Sequence, residues 1–286
     1  MKRIGLVVHP SREIGKSLAT LTEWAGARDI DVVQVPARGA MRMVAPLGEV
    51  SACDLVVAVG GDGTVLTALR AAAEHATPVL GVACGSLGAL SAVMADGVGE
   101  ALDRYETGDW SRRSLPTLEA FMDGAKVAWS LNDFVLVRRS IGQLIVDVTA
   151  GDELYVRMAG DGAIVATPLG STAYSMGAGG PILAGGTDAV VVTPLVMHGG
   201  SAPPLVVPAG VDVTLEAHPG FGGFDVEIDG HEQDVEGRKF VLRLAEERAT
   251  LVSLGDPGLG LAALRRRGLI TDSPRVLARD DRAHRT

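Results

Sequence analysis

The residues Gly60-Gly61-Asp62-Gly63-Thr64 set one carboxylate among three glycines, where an apolar run at 55–59 gives way to helical spacing. Glycine permits positive φ and lets a ligand approach the main chain closely. The amides of such a turn can therefore face phosphate oxygens, with help from the N-terminus of the helix beyond. A carboxylate repels phosphate, so Asp62 is better suited to accept a proton from an attacking hydroxyl, or to hold a magnesium ion. A simple strand-to-helix turn capped by aspartate would use the same residues, and Gly-Asp-Gly alone is too short a pattern to decide.

A second chemistry-bearing run is Asp161-Gly162-Ala163-Ile164-Val165-Ala166-Thr167-Pro168-Leu169-Gly170-Ser171-Thr172-Ala173-Tyr174-Ser175, followed by Gly177-Ala178-Gly179-Gly180-Pro181. A strand at 163–166 ends in a loop of hydroxyls and one phenol, which suits a polar, planar ligand on which Tyr174 could stack. A glycine-rich connection between sheets is the plainer alternative. His9, His75 and His231 fall at a strand end, a helix end and a turn, where structural or surface roles are expected.

The elements that must position these runs change character along the chain. Up to about residue 115, strands at 3–8, 31–35, 54–59 and 78–82 alternate with helical spacing at 13–27, 65–75 and 98–107. That alternation predicts parallel βαβ units with a ligand site at the carboxyl ends of the strands. Gly15-Lys16-Ser17 has no glycine at position 10, so it is not a phosphate-binding P-loop. Beyond 115, short alternating runs punctuated by Asp123-Gly124, Gly151-Asp152 and Asp229-Gly230 predict hairpins. The expected architecture is an α/β N-terminal domain with a parallel sheet (1–115) and a mostly β, sandwich-like C-terminal domain (116–255). Residues 256–286 are a candidate for returning to the first domain. They are expected to form a short helix to Arg267 and then a loose, charged end.

Composition narrows the function classes. The net charge of −9 argues against non-specific nucleic-acid binding. Arg265-Arg266-Arg267 is the one basic cluster, and its plain reading is a solvated face at a helix end. No apolar run approaches the roughly 20 residues of a spanning helix, and Met1-Lys2-Arg3 leads into a strand rather than a leader peptide, so a cytoplasmic protein without membrane contact is expected. Two cysteines, Cys53 and Cys84, are too few for a disulfide framework and lack zinc-site spacing.

Taken in order, Gly-Gly-Asp-Gly-Thr, Asn132-Asp133, Asp161-Gly162, Thr167-Pro168, Gly170-Ser171-Thr172-Ala173-Tyr174 and Ala178-Gly179-Gly180-Pro181 resemble the NAD kinase family over nearly the whole chain. The first motif is shared with lipid kinases and phosphofructokinases; the later segment is more discriminating. The resemblance implies transfer of the ATP γ-phosphate to the 2′-hydroxyl of the adenosine ribose of NAD, with a divalent cation, magnesium being the expected one. It also implies a homodimer or homotetramer. Asp62 matches the family's catalytic aspartate, and Gly61, Gly63 and Thr64 its phosphate-facing turn. His198 matches a histidine near the phosphates. Asn132, Asp133, Asp161, Thr172, Ala173 and Tyr174 match dinucleotide-binding positions.

This sequence also departs from the family pattern. Ala83 and Ala89 stand where an asparagine and a phenylalanine are usual, Asp133 replaces a glutamate, Gly177 a serine, and Pro203 an arginine. Lost rings and hydrogen bonds each weaken binding by about 1 kcal/mol. NADH or another adenylate as acceptor, polyphosphate as donor, and a non-catalytic dinucleotide sensor therefore remain open alternatives.

Overall fold

The structure is a computed structural model that describes residues 1–37, 39, 42–220, 222–255 and 260–283. The chain divides into two compact units, Met1–Arg113 with Leu251–Thr286, and Ser114–Thr250.

Unit 1 begins β1 (Arg3–Val8), α1 (Gly15–Gly26), β2 (Asp31–Gln34), β3 (Leu55–Gly60), α2 (Asp62–Ala73), β4 (Val79–Ala83), β5 (Val93–Met94) and α3 (Val98–Thr107). The strands β4-β3-β1-β2 lie side by side, all parallel, with β5 parallel to β4. β3 is buried along its whole length, as a parallel strand covered on both faces should be. Leu21 and Trp24 of α1, and Val98 and Leu102 of α3, pack on Leu6, Leu55 and Leu80 from the strands. The strand-to-helix turn at Gly60–Asp62 is therefore anchored by a fully buried strand of this sheet.

The chain continues as β6 (Ser111–Met122), β7 (Ala125–Ser130), β8 (Asp133–Arg138), β9 (Leu144–Ala150), β10 (Glu153–Gly160), β11 (Gly162–Ala166), α4 (Tyr174–Gly177) and β12 (Ala189–Leu195). It then forms β13 (Leu205–Pro208), β14 (Val213–Pro219), β15 (Phe224–Ile228), β16 (His231–Gln233) and β17 (Lys239–Ser253). In unit 2, β10-β9-β14-β17 form one antiparallel layer and β13-β12-β11-β8-β15-β16 another. Leu144, Val146, Val148, Leu215 and Phe240 of the first pack against Phe134, Leu136, Val165, Val192 and Ile228 of the second, which makes this unit the expected sandwich. The other face of β8, β11 and β12 buries Val135, Ile164 and Val191 with Leu183 and Ala178.

Turn chemistry agrees with the hairpin reading. Asp123-Gly124 and Asp229-Gly230 take positive φ at both positions, and Gly151 does so at its own turn. Two helices differ from the sequence reading. α2 starts at Asp62 rather than near Val65, because the extended Gly61 acts as N-cap and puts the aspartate in the first turn, where negative charge suits the helix dipole. The terminus expected to be loose is instead helical as α6 (Pro274–Ala283), following α5 (Leu261–Arg266). Pro274 occupies the first helical position, where its missing N–H costs nothing. Among the described residues, no helix is long and apolar enough to cross a membrane.

Candidate active site

In unit 1 the glycine turn is shaped by what a side chain would strike. A Cβ on Gly60 would lie 2.3 Å from Thr64 Oγ1, so the strand end and the first turn of α2 close on each other only with glycine there. Asp62 then projects from the helix start to a second loop. Its Oδ2 accepts the amide of Ala89 at 3.1 Å and its Oδ1 that of Leu90 at 3.0 Å. Gly88 makes this possible, since a Cβ at that position would meet Asp62 Oδ1 at 2.0 Å. The guanidinium of Arg267, just past α5, stands 3.5 Å from Oδ2. The carboxylate is thus held in one orientation by two amides and one cation.

Beside it opens a cavity of about 400 Å³, lined among others by His9, Arg12, Gly61, Asp62, Gly63 and Thr64. His9 Nδ1 accepts the amides of Ser11 and Arg12, so its proton sits on Nε2. Arg12 donates to the Cys84 carbonyl at 3.4 Å, close to Gly61. Glycine amides, an imidazole N–H and a guanidinium around one carboxylate make a surface able to receive anionic oxygens while leaving a proton acceptor in place.

In unit 2 the loop after β11 is built onto residues 131–133. Thr167 donates its amide to Asn132 O at 2.8 Å and its hydroxyl to Leu131 O at 2.5 Å. Gly170 lies so close that a Cβ would sit 1.9 Å from Asn132 O. The hydroxyl of Ser171 donates to Pro168 O and accepts the Leu183 amide, and Ser175 pairs with Thr193 at 2.8 Å. Thr172 donates to Leu169 O at 3.0 Å. The hydroxyls of this run therefore also hold the loop together. Tyr174, 47% exposed at the start of α4, is the group left facing outward.

Asp133 is 4% exposed, and among the described residues its carboxylate has no hydrogen-bond partner. Burial, reinforced by the nearby charges of Asp229 and Glu227, pushes its pKa up to about 7. Asp229 also fixes the backbone on which Asp133 stands, accepting the amides of Leu131 at 3.1 Å and Asn132 at 2.6 Å. Tyr174 is raised by burial and by the charges of Glu227, Asp161 and Asp133. Asp161 takes a 2.5 Å bond from Arg138 Nε, and His198 Nε2 lies 3.9 Å from the same oxygen. Gln143 meets His198 Nδ1 at 3.0 Å.

Sequence reasoning missed Arg267, Arg12, Arg138 and Asp229. The arginine triplet that looked like one solvated face has three destinations: Arg265 pairs with Asp272 at 2.6 Å, Arg266 lines another cavity, and Arg267 faces Asp62. The available signal was the helical spacing, which points successive residues about 100° apart. Among the described residues, no three or more His, Cys, Asp or Glu side chains converge on a metal position. A magnesium ion carried on nucleotide phosphates needs only one or two protein carboxylates. Asp62 keeps lone pairs on both oxygens after its amide bonds, so the residues present fit such an ion.

A parallel α/β unit with a glycine turn on a helix start, joined in sequence to a β-sandwich, suits a kinase that holds phosphates on the turn, and the comparisons with known proteins narrow that class. Residues 48–110 match the ATP-NAD kinase N-terminal domain, and residues 131–235 match the ATP-NAD kinase C-terminal domain. An NAD kinase of Heliobacterium modesticaldum is 33% identical over 268 residues, covering 90% of this chain and 95% of that protein. The yeast NADH kinase complexed with NADH superposes with a TM-score of 0.78 at 20% identity, covering 96% of this chain and 89% of that one. The NAD kinase from Archaeoglobus fulgidus in complex with ATP gives 0.74 at 21% identity, covering 92% and 99%.

This chain belongs to the NAD kinase family. It is an ATP-dependent phosphotransferase whose acceptor is a nucleotide ribose.

Proposed function

We propose that the protein transfers the γ-phosphoryl group of ATP to the 2′-hydroxyl of the adenosine ribose of NAD, forming NADP and ADP. The observation that carries this reading is Asp62. A carboxylate beside a phosphate-facing glycine turn costs binding energy unless it has chemistry to do, and here two amides and Arg267 hold it in place. In the proposed reaction the 2′-oxygen attacks the γ-phosphorus, the bond to the β-phosphate oxygen breaks, and the hydroxyl proton passes to Asp62. Gly61, Gly63 and Thr64 hold the phosphates, with His198 assigned to the same ligand group. Asn132, Asp133, Asp161, Thr172, Ala173 and Tyr174 hold the dinucleotide. Magnesium bound with the nucleotide would neutralise charge on the phosphates. The protein acts in the cytoplasm as a homodimer or homotetramer, without nucleic-acid or membrane partners.

A second reading, with NADH or another adenylate as acceptor, is favoured by Ala83 and Ala89. Both lie near Asp62, at the end of β4 and in the loop that binds it, where the family pattern has larger side chains.

The test is NADP formation by the purified protein with ATP, magnesium and NAD, with NADH and other adenylates in parallel. Asp62→Asn should retain dinucleotide binding and lose about 10² to 10⁴ in rate. Activity only with another acceptor would establish the second reading, and binding without turnover on any acceptor would mean a sensor.

A further inference from the structure

Unit 1 holds a second and larger cavity, of about 670 Å³, that shares no lining residue with the one at the glycine turn. Its walls are residues 87–93, Gly97 just before α3, the face of α3 carrying Glu100, Ala101 and Arg104, Arg113, residues 251–255, and residues 260–263 with Arg266. Much of the lining is apolar, with Leu87, Leu90, Val93, Leu251 and Leu261 among it.

The polar groups in this cavity are poorly served by the protein. Arg113 is partly buried, and its one contact among the described bonds is a long 3.4 Å donation to Ala89 O, with no carboxylate opposite. Burial alone lowers its pKa, which marks a guanidinium that has lost water without gaining an anion. Ser91 Oγ is buried and has no hydrogen-bond partner among the described residues. Arg266 adds a second guanidinium at the wall. Arg104 is engaged with Asp109 at 2.7 Å, and among the described residues Glu100 is the one carboxylate in the lining. A partly buried cation without a described carboxylate partner, beside apolar walls, calls for one kind of guest. It would carry negatively charged oxygens at one end and hydrocarbon at the other.

We propose that this cavity is a binding site for a small organic anion, one bearing a carboxylate, sulfonate or phosphate on an apolar body. The anionic group meets Arg113 and Arg266, and the apolar body lies against Leu90, Val93 and Leu251. The site is coupled to the first by one peptide. The Ala89 carbonyl accepts from Arg113 and the Leu90 amide of the same peptide donates to Asp62 Oδ1, so an anion that draws Arg113 off that carbonyl alters how Asp62 is held. The site itself does not depend on the acceptor assigned above.

The test is a fluorescence titration of the full chain with anilinonaphthalenesulfonate, an apolar sulfonate, in the presence and absence of saturating ATP and NAD. One saturable site is expected, present with and without the nucleotides and shifted by them no more than a few fold. Competition by octanoate and by octyl phosphate, but not by inorganic phosphate, would tell which head group is preferred and that the apolar body is required. Arg266→Ala should weaken binding about tenfold, the loss of one charge-assisted contact. Ala262→Trp should block the cavity, with circular dichroism confirming that both variants fold. No saturable signal, displacement by ATP, or full retention in both folded variants would overturn the proposal. None of these readouts requires turnover, so they stand or fall apart from the kinase assay.

Discussion

Gly88→Ala tests whether the placement of Asp62, and not merely its presence, matters. The added Cβ would stand 2.0 Å from Asp62 Oδ1, 2.7 Å from Cγ and 3.0 Å from Oδ2. Reaching an ordinary contact of about 3.4 Å requires the carboxylate to retreat by about 1.4 Å. The amide bonds from Ala89 and Leu90, now 3.1 and 3.0 Å, cannot both survive that movement. Hydrogen bonds to a charged group contribute about 1.5 to 3 kcal/mol each. The atoms that must move are the end of a short side chain, so the fold should survive, with the melting temperature lowered by several degrees. A catalytic group misplaced by about 1 Å can cost about 10²-fold in rate. The expected result is a kcat for phosphoryl transfer about 10² below wild type, with KM values within a few fold and a cooperative unfolding transition lowered by several degrees. A folded Gly88→Ala protein with wild-type kcat would refute the view that this loop sets the geometry of Asp62.

Three other outcomes are expected. Arg267→Met should lower kcat about fivefold with little change in KM, the modest size reflecting an ion pair that is one-third exposed. Arg267→Lys should recover part of the loss, and a KM effect without a kcat effect would assign Arg267 elsewhere. Tyr174→Ala should raise the KM for the dinucleotide more than that for ATP, as steady-state kinetics with each substrate varied will show. Asp133 binds a proton more tightly folded than unfolded, with a folded pKa of about 7 against 3.8, so wild-type stability should fall as pH rises between those values and then level off. The span corresponds to about 4 kcal/mol. Asp133→Asn should remove that slope, so denaturant titrations at pH 5 and pH 8 should differ for wild type and converge for the variant. Equal slopes in both proteins would mean that Asp133 is not the titrating group.

The order of layers was legible because the hydrophobic period changes. A parallel strand buried on both faces reads as a continuous apolar run such as residues 55–59, whereas the sandwich strands alternate. Asp123-Gly124 and Asp229-Gly230 announced their turns through residues that tolerate positive φ. Asp62 was legible for the same local reason, since glycine beside a carboxylate at a strand end is itself unusual. What surrounds it was not, because Ala89, Leu90 and Arg267 come from distant points in the chain and carry no local mark. Nor does Gly88, whose reason for being glycine is another residue's side chain. The hydroxyls of Thr167, Ser171 and Ser175 were legible as polar groups, but whether they serve a ligand or the loop depends on partners such as Leu131 and Thr193. The helix at Pro274–Ala283 was hidden by its charge.

Asp229 illustrates how few substitutions one position can accept when two demands fall on it. Its backbone sits at φ 51°, tolerable to glycine, asparagine and aspartate. Its side chain gathers the amides of Leu131, Asn132 and, at 3.4 Å, Asp133. Glycine would satisfy the turn and abandon the amides; glutamate would keep the charge and strain the turn; asparagine would offer one oxygen where two are used. Aspartate is the residue that meets both conditions. An engineer who relaxed this hairpin with glycine, a change that favours many turns elsewhere, would release the strand start carrying Asn132 and Asp133 from its only carboxylate clasp among the described bonds. The tip of a hairpin is ordinarily the freest part of a sheet to redesign, and in this protein it is among the least free.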